Sequence, residues 1–358
     1  MSRVFIIAEA GVNHNGSLKL AKQMIDAAKE AGADAVKFQT FKAGSLVSKG
    51  TEKAEYQKHS SSANEDQYEM LQRLELSEND HAELLAHCKV AGVEFLSSPF
   101  DHASFELLIC RFGLKTLKLG SGEITNAPLL LEIARSGCSI ILSTGMSTLE
   151  EVKTALSVLA FGYLGFSGAI NIERFDEAFN SSEGQAYLLE KVKLLHCTTE
   201  YPAPYEDINL KAMDTLRDTF GVPVGYSDHT EGFAISYAAV ARGACVIEKH
   251  FTLDRNLPGP DHKASLEPHE LAQMVTGIRQ IEISLGDGVK RLMPSEVENR
   301  NVVRKSLIAQ VEIKKGEAFT ESNLCVKRPG DGVQPIHYWQ WLGRIAERDY
   351  QADEVIVE

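Results

Sequence analysis

Short apolar runs recur along the chain, each closed by polar residues and followed by a stretch with helical periodicity. Eight of them read as strands: residues 4–10, 35–39, 93–98, 116–120, 139–144, 192–198, 222–228 and 245–251. Between them lie segments such as LKLAKQMIDAAKEAGA, where Leu20, Met24, Ala27 and Ala28 share a face and Gly32 supplies the stop. HAELLAHCKVAG, APLLLEIARSG, LEEVKTALSVLA, FAISYAAVARGA and HELAQMVTGIRQIEISL repeat the pattern. Strands apolar on both faces that alternate with helices form a parallel sheet. Eight such units in about 285 residues match a closed (β/α)8 barrel better than an open doubly wound sheet. No GxGxxG follows the first strand, which weighs against a dinucleotide fold.

The rhythm stops near residue 286. The expected organisation is a barrel over 1–286, a polar, irregular linker over 287–301, and a small, mostly β domain over 302–358. A domain of about 55 residues has a marginal core and is expected to pack on the barrel or on a second subunit. Two insertions break the barrel's short connections. Residues 43–75 follow the second strand, so they belong to the C-terminal face, where barrel sites are built; the polar run KAEYQKHSSSANEDQYEM reads as a lid. Residues 160–190 precede the sixth strand on the opposite face and are assigned to packing or assembly.

Charge narrows the partners. Lys plus Arg number 37 against 50 Asp plus Glu, a net charge of −13, which argues against nucleic acid or an anionic membrane. No apolar run reaches the ~18 residues of a membrane helix, and the N-terminus reads as a first strand rather than a signal peptide, so a cytoplasmic location is expected. The six cysteines show no CxxC and read as reduced, buried thiols.

The informative residues are polar ones at strand ends, which a barrel gathers at one mouth. They include Glu9, Lys37 and Gln39, Ser98, Lys118 with Ser121 and Glu123, Ser143, His196, Tyr201, Ser227 with His229, and Glu248 with His250. A lysine inside a barrel strand is costly to bury without an anion. Lys37 and Lys118 therefore suit a multiply charged substrate, although a structural ion pair with Glu9, Glu123 or Glu248 is the plainer alternative. His229 and His250 end neighbouring strands, and two imidazoles suit a loosely held Mn²⁺, Co²⁺ or Zn²⁺ that polarises a carbonyl. His14, in NHNG, fits a turn-shaping role better than ligation, and His196 fits a hydrogen-bonding role beneath the site.

As a set, AEAGVNHNG (8–16), VKFQT (36–40), KLGSGEITN (118–126), ILSTGM (141–146), LLHCTTEYPAPYEDINL (194–210), GYSDHT (225–230), IEKHFTLD (247–254) and PGPDHKASLEP (258–268) resemble the sialic acid (nonulosonate) synthase family. The similarity is to its bacterial N-acetylneuraminate and N,N′-diacetyllegionaminate synthase branch. RKSLIAQVEIKKGEAFTESNLCVKRPGDG (304–332) resembles the SAF (antifreeze-like) domain of those enzymes, whereas the 160–190 insertion has no counterpart in the usual pattern. The resemblance implies a TIM barrel plus SAF domain that condenses phosphoenolpyruvate with an open-chain N-acetylated mannose-type sugar, releasing phosphate. It implies a divalent metal, foremost Mn²⁺ with Mg²⁺ or Co²⁺ as alternatives, on His229 and His250. Lys37, Gln39, Ser98, Lys118, Ser121, Ser143 and Ser227 would bind phosphoenolpyruvate. Glu9, Tyr201 and Asp261 would hold the sugar, with Arg328 reaching it from the other subunit of a domain-swapped homodimer. Glu9 and Glu123 would handle protons, with Lys37 and Lys118 completing the catalytic set.

The expected sugar is N-acetylmannosamine, giving N-acetylneuraminate. The alternative is 2,4-diacetamido-2,4,6-trideoxymannose, giving N,N′-diacetyllegionaminate, because Thr199-Glu200 after HCT occurs in a branch containing both activities. Pseudaminate synthases are less similar at AEAGVNHNG and HCTTEYPAP. A barrel synthase acting on a phosphorylated sugar would want more cations and leaves the SAF-like segment unexplained. A catalytically dead, sugar-binding barrel predicts loss of the strand-end charges, which are all present.

Overall fold

The computed structural model describes residues 3–53, 65–166 and 168–358, which form two compact units, Met1–Gly286 and Asp287–Glu358. In the first unit the eight expected strands are β1 Phe5–Gly11, β2 Ala35–Thr40, β3 Glu94–Pro99, β4 Thr116–Leu119, β5 Ser139–Ser143, β6 Val192–His196, β7 Val224–Asp228 and β8 Val246–His250. All recorded ladders among them are parallel, in the order β3-β2-β1-β8-β7-β6-β5-β4, and β3 lies against β4, so the sheet closes into a barrel. A helix follows each strand, from Leu18–Glu30 after β1 to Pro268–Ser284 after β8.

Period-two alternation divides each strand between two environments. Outward side chains join the large core under the helices. Inward ones form a separate small layer of Ile7, Ala35, Leu96, Ile141, Leu195 and Val246, one from each of six strands. Two residues further along those strands stand Glu9, Lys37, Ser98, Ser143, Cys197 and Glu248. The apolar layer is thus a floor that seals the barrel, and the next inward residues are the first that can meet a ligand. Register aligns them: Glu9 is level with Lys37 on one side and His250 on the other, and Ser227 is level with Glu248.

The helices start and stop where local chemistry dictates. Ser77 and Thr148 each form a capping box, with Asp80 and Glu151, and Gly92 ends its helix in the left-handed conformation. In Leu18–Glu30 the buried stripe is Ala21, Met24, Ile25 and Ala28, with Leu20 only half-buried. The stripe expected on Leu20, Met24, Ala27 and Ala28 is therefore rotated by about one residue. Burial of the cysteines is also only partial: Cys110 is exposed and Cys245 and Cys325 are half-buried, although all six are free thiols.

The insertion at 160–190 contributes helices Ile172–Asn180 and Ser182–Lys191. Phe166 and Phe175 both pack edge-on against Phe161, and Tyr187 stacks on Tyr163, so the insertion is an added layer on the helix Leu149–Tyr163. Of the 43–75 insertion, residues 54–64, most of the polar run read as a lid, lie outside the described residues. The described part contains helices Ala43–Leu46 and Gln67–Leu74.

The second unit has its own core of Leu307, Ala309, Ile313, Phe319, Leu324, Val333, Trp341, Ala346, Tyr350 and Ile356. Strands β9 Ser306–Ala309 and β10 Leu324–Lys327 pair antiparallel, with further bridges Ile308–Val355, Ile313–Tyr350 and Ala318–Ile345. The segment 287–301 is not irregular throughout. It holds a 3-10 turn, Pro294–Glu296, running into a helix at Val297–Val303, started by a proline and by Glu296 bonding back to the Met293 amide. Among the described residues no helix is long and apolar enough to cross a membrane.

Candidate active site

The strand ends enclose a cavity of about 230 Å³ at the C-terminal mouth of the barrel. Its centre is an ion cluster. Lys37 Nζ stands 2.7 Å from Glu9 Oε2, 3.7 Å from Glu248 Oε2 and 3.3 Å from Ser98 Oγ. Lys118 Nζ is 3.4 Å from Glu248 Oε1 and donates to the Leu119 carbonyl at 3.2 Å. The Ser227 hydroxyl donates to Glu248 Oε1 at 2.8 Å. All four charged side chains are buried.

The two lysines differ in their balance. Burial disfavours the charge of both, but Glu248 and Glu9 outweigh it at Lys37, whose pKa is raised. At Lys118 burial wins and the pKa is lowered. Burial pushes Glu9 up to about 7 against the pull of Lys37, whereas Lys118 and Lys37 overcome burial at Glu248 and hold it at about 2. An anion entering beside Lys118 meets an ammonium that the protein itself compensates incompletely. The structural pairing considered from sequence is real, but it leaves that deficit.

On β7 and β8 the rings of His229 and His250 lie 5.7 Å apart, with the Tyr201 ring 4.2 Å and 5.5 Å from them. His229 Nδ1 donates to the Thr198 carbonyl at 2.6 Å, leaving Nε2 as an acceptor beside Ser227 Oγ at 3.3 Å. His250 Nδ1 is buried without a hydrogen-bond partner, and Asp261 Oδ2 lies 4.0 Å from it. Burial holds His229 at about 4 and, with His229 and Lys37, keeps His250 well below its ordinary value, so both rings are neutral. Neutral imidazoles with a free nitrogen are the ligand form, and the pair fits a divalent ion completed by water or substrate oxygens. Among the described residues no group of three or more His, Cys, Asp or Glu is arranged to hold a metal.

Behind this pair lies a second, fully buried one. Asp228 and Lys249, level on β7 and β8, approach to 3.4 Å on the outer side of the wall. Asp228 also accepts from the Thr230 amide, Thr230 Oγ1 and Ser236 Oγ, and Lys249 donates to the Thr230 carbonyl.

Gln39, Ser121, Ser143 and Asp261 also line the cavity, so most of the sequence-derived set converges. Glu123 does not. It sits in the turn Ser121–Glu123, directly after the lining residues Ser121 and Gly122, and its Oε2 accepts from Asn126 at 2.8 Å. Arg328 belongs to the second unit, just after β10. His14 and His196 are likewise absent from the lining. His14 accepts from the Gly16 amide and His196 Nε2 donates to the Ile208 carbonyl, the roles expected of them. Cys197, just past β6, also lines the cavity although it was read from sequence as a buried thiol, and Glu248 and Thr199, expected at the mouth without an assigned role, line it too. Gly145 lets Ser121 and Thr199 approach: a Cβ there would stand 2.8 Å and 2.3 Å from their hydroxyls.

Burial of neutral histidines has a consequence for stability. Burial holds His14, His229 and His262 at about 4, below the ordinary 6.5. At these three groups the unfolded chain binds more protons between those values, so their contribution to stability is complete above pH 6.5 and is lost as pH falls towards 4. Each group withholds up to about 3 kcal/mol at the acid end. The melting temperature is expected to drop steeply from pH 7 to 4.5, and less steeply in a His14→Asn variant, which leaves the cavity lining intact. An unchanged slope in that variant would exclude His14 from the acid response.

Comparison with known proteins bears on the family and the fold. The NeuB family profile matches residues 24–290 and the SAF domain profile residues 304–358. An N,N′-diacetyllegionaminic acid synthase of Campylobacter jejuni is 51% identical over 358 residues, covering 100% of both chains. Its namesake in Legionella pneumophila is 49% identical over 92% of this chain and 87% of its own. The structure of an N-acetylneuraminic acid synthetase from Leptospira borgpetersenii, in complex with citrate, superposes with a TM-score of 0.66 at 34% identity, covering 84% of this chain and 93% of that one. The chain belongs to the NeuB family of sialic acid synthases, a parallel barrel followed by a SAF domain.

Proposed function

We propose that the protein condenses phosphoenolpyruvate with 2,4-diacetamido-2,4,6-trideoxymannose to give N,N′-diacetyllegionaminate and phosphate. The observation that carries the substrate is the full-length identity of 51% to a synthase of that product, which moves the reading away from N-acetylmannosamine. The buried lysines and neutral histidine pair in one cavity support the chemistry.

In this reading Lys118 and Lys37, with Ser98, Ser121, Ser143 and Ser227, hold the phosphate and carboxylate of phosphoenolpyruvate, and Gln39 hydrogen-bonds near the reacting carbons. A divalent ion on His229 and His250 supplies polarisation of the sugar aldehyde when bound. Asp261 and Tyr201 orient the sugar beside it, and Arg328 of a second copy of the chain closes on the N-acyl group in a swapped dimer. C3 of the enol phosphate forms the new bond to the aldehyde carbon. The positive charge left at C2 is quenched by water, and phosphate leaves with its C–O bond broken. Glu9, held at about 7, is the group suited to take the proton of that water. The protein contributes positioning and a fixed electrostatic field.

The test is phosphate release from phosphoenolpyruvate with Mn²⁺, comparing the trideoxy sugar with N-acetylmannosamine, each with and without EDTA. Metal-dependent release favouring the trideoxy sugar is expected. Preference for N-acetylmannosamine would restore the neuraminate reading, and release with neither sugar would overturn both.

A further inference from the structure

The cavity has two unlike sides. One is the charged and hydroxylated set already described. The other is apolar: Val12, Met70, Leu71, Leu74 and Phe100 line it. These residues belong to a cluster separate from both the outer core and the barrel floor, in which Val12, Phe41, Met70 and Leu74 are buried and Leu71 and Phe100 pack against them.

The wall is built by the amphipathic helix Gln67–Leu74. Its start is fixed by a capping box, with Asp66 accepting from the Glu69 amide at 2.8 Å and Glu69 from the Asp66 amide at 3.2 Å. Gln72 and Arg73 are exposed, and Arg73 pairs with Glu65, so the helix turns its polar residues away from the cavity. Leu71 is half-buried, in keeping with an apolar surface left open for contact. A fully hydroxylated sugar gains nothing from such a wall, because a hydroxyl pressed on it loses water and finds no partner. An alkyl group gains by burial.

We infer that the helix Gln67–Leu74 is a specificity element, and that Leu71, with Met70, Leu74, Val12 and Phe100, receives the C6 methyl of a 6-deoxy sugar and disfavours a C6 hydroxymethyl. The inference rests on the proposed sugar class and deepens it by assigning the wall to one carbon. An apolar surface rejects an added hydroxyl only moderately, so the discrimination belongs in the range of about 10- to 100-fold.

The experiment uses the full-length protein with phosphoenolpyruvate and Mn²⁺, and two pairs of sugars that each differ only at C6. One pair is 2,4-diacetamido-2,4-dideoxymannose and its 6-deoxy form. The other is N-acetylmannosamine and its 6-deoxy form. The wild type is expected to favour the 6-deoxy member of each pair in kcat/KM by about 10- to 100-fold. Leu71→Gln should narrow that ratio to a few-fold, chiefly through KM for the sugars, with KM for phosphoenolpyruvate and the melting temperature little changed. Leu71→Ala, which keeps the wall apolar but opens it, should narrow it less. The inference is overturned if the wild type ignores C6 in both pairs, or if Leu71→Gln slows all four sugars alike. The substrate reading is scored separately, by comparison between the pairs: preference for the N-acetylmannosamine pair sinks the legionaminate assignment whatever happens at C6.

Discussion

Replacing His250 by alanine is expected to cut phosphate release by about 1,000-fold or more while leaving the melting temperature within a few degrees of wild type. Polarisation of a carbonyl by a bound ion supplies several kcal/mol, and each 1.36 kcal/mol is tenfold in rate. The fold should tolerate the change because the His250 ring lies at the mouth, above the apolar floor, and its Nδ1 already lacks a partner. Direct titration with Mn²⁺ separates the causes. Loss of binding together with loss of activity assigns the ring to the metal. Full activity in the variant would remove His250 from the site, and binding retained with activity lost would give the ring another role.

The second large effect is expected at Glu248. Its carboxylate faces both lysines and accepts from Ser227, so Glu248→Gln leaves Lys118 without its only carboxylate neighbour within 4 Å among the described residues. Breaking a buried pair from one side costs about 3–5 kcal/mol. The variant should therefore melt well below wild type. An anion can take the vacated role, so inorganic phosphate or phosphoenolpyruvate should raise the variant's melting temperature more than the wild type's. A melting temperature unmoved by the substitution would mean that the lysines do not depend on Glu248. A smaller ligand shift in the variant would mean that Glu248 helps to bind the anion instead of standing in for it.

Glu248 also illustrates what the sequence made legible. The strands were readable because parallel barrel strands are apolar on both faces, and every one lies within two residues of its expected place. Lys37, Lys118, His229 and His250 were conspicuous because charge and imidazole are rare inside such runs. Glu248 was visible, two residues from His250 and on the same face, yet it was read only as a possible structural partner. Period alone does not say whether an inward carboxylate neutralises a lysine or serves a substrate. Cys197 was missed because a small residue carries no charge signal. Glu123 follows Ser121 and Gly122 of the lining, and its Oε2 accepts from Asn126 three residues on. The apolar wall was hidden because Met70, Leu71 and Leu74 look like an ordinary amphipathic helix, and only tertiary placement puts a cavity on the other side.

The outward pair Asp228–Lys249 bears on how the chain reaches this arrangement. The two residues are level across β7 and β8 and fully buried. Sliding β8 by one residue would turn Lys249 into the mouth and Glu248 into the helix layer, stranding charges on both faces of the wall. A barrel closed one residue out of register would carry buried charges without partners and be less stable for it. The buried pair thus disfavours a one-residue slip of β8, in which the His250 ring would leave the mouth and could not meet His229.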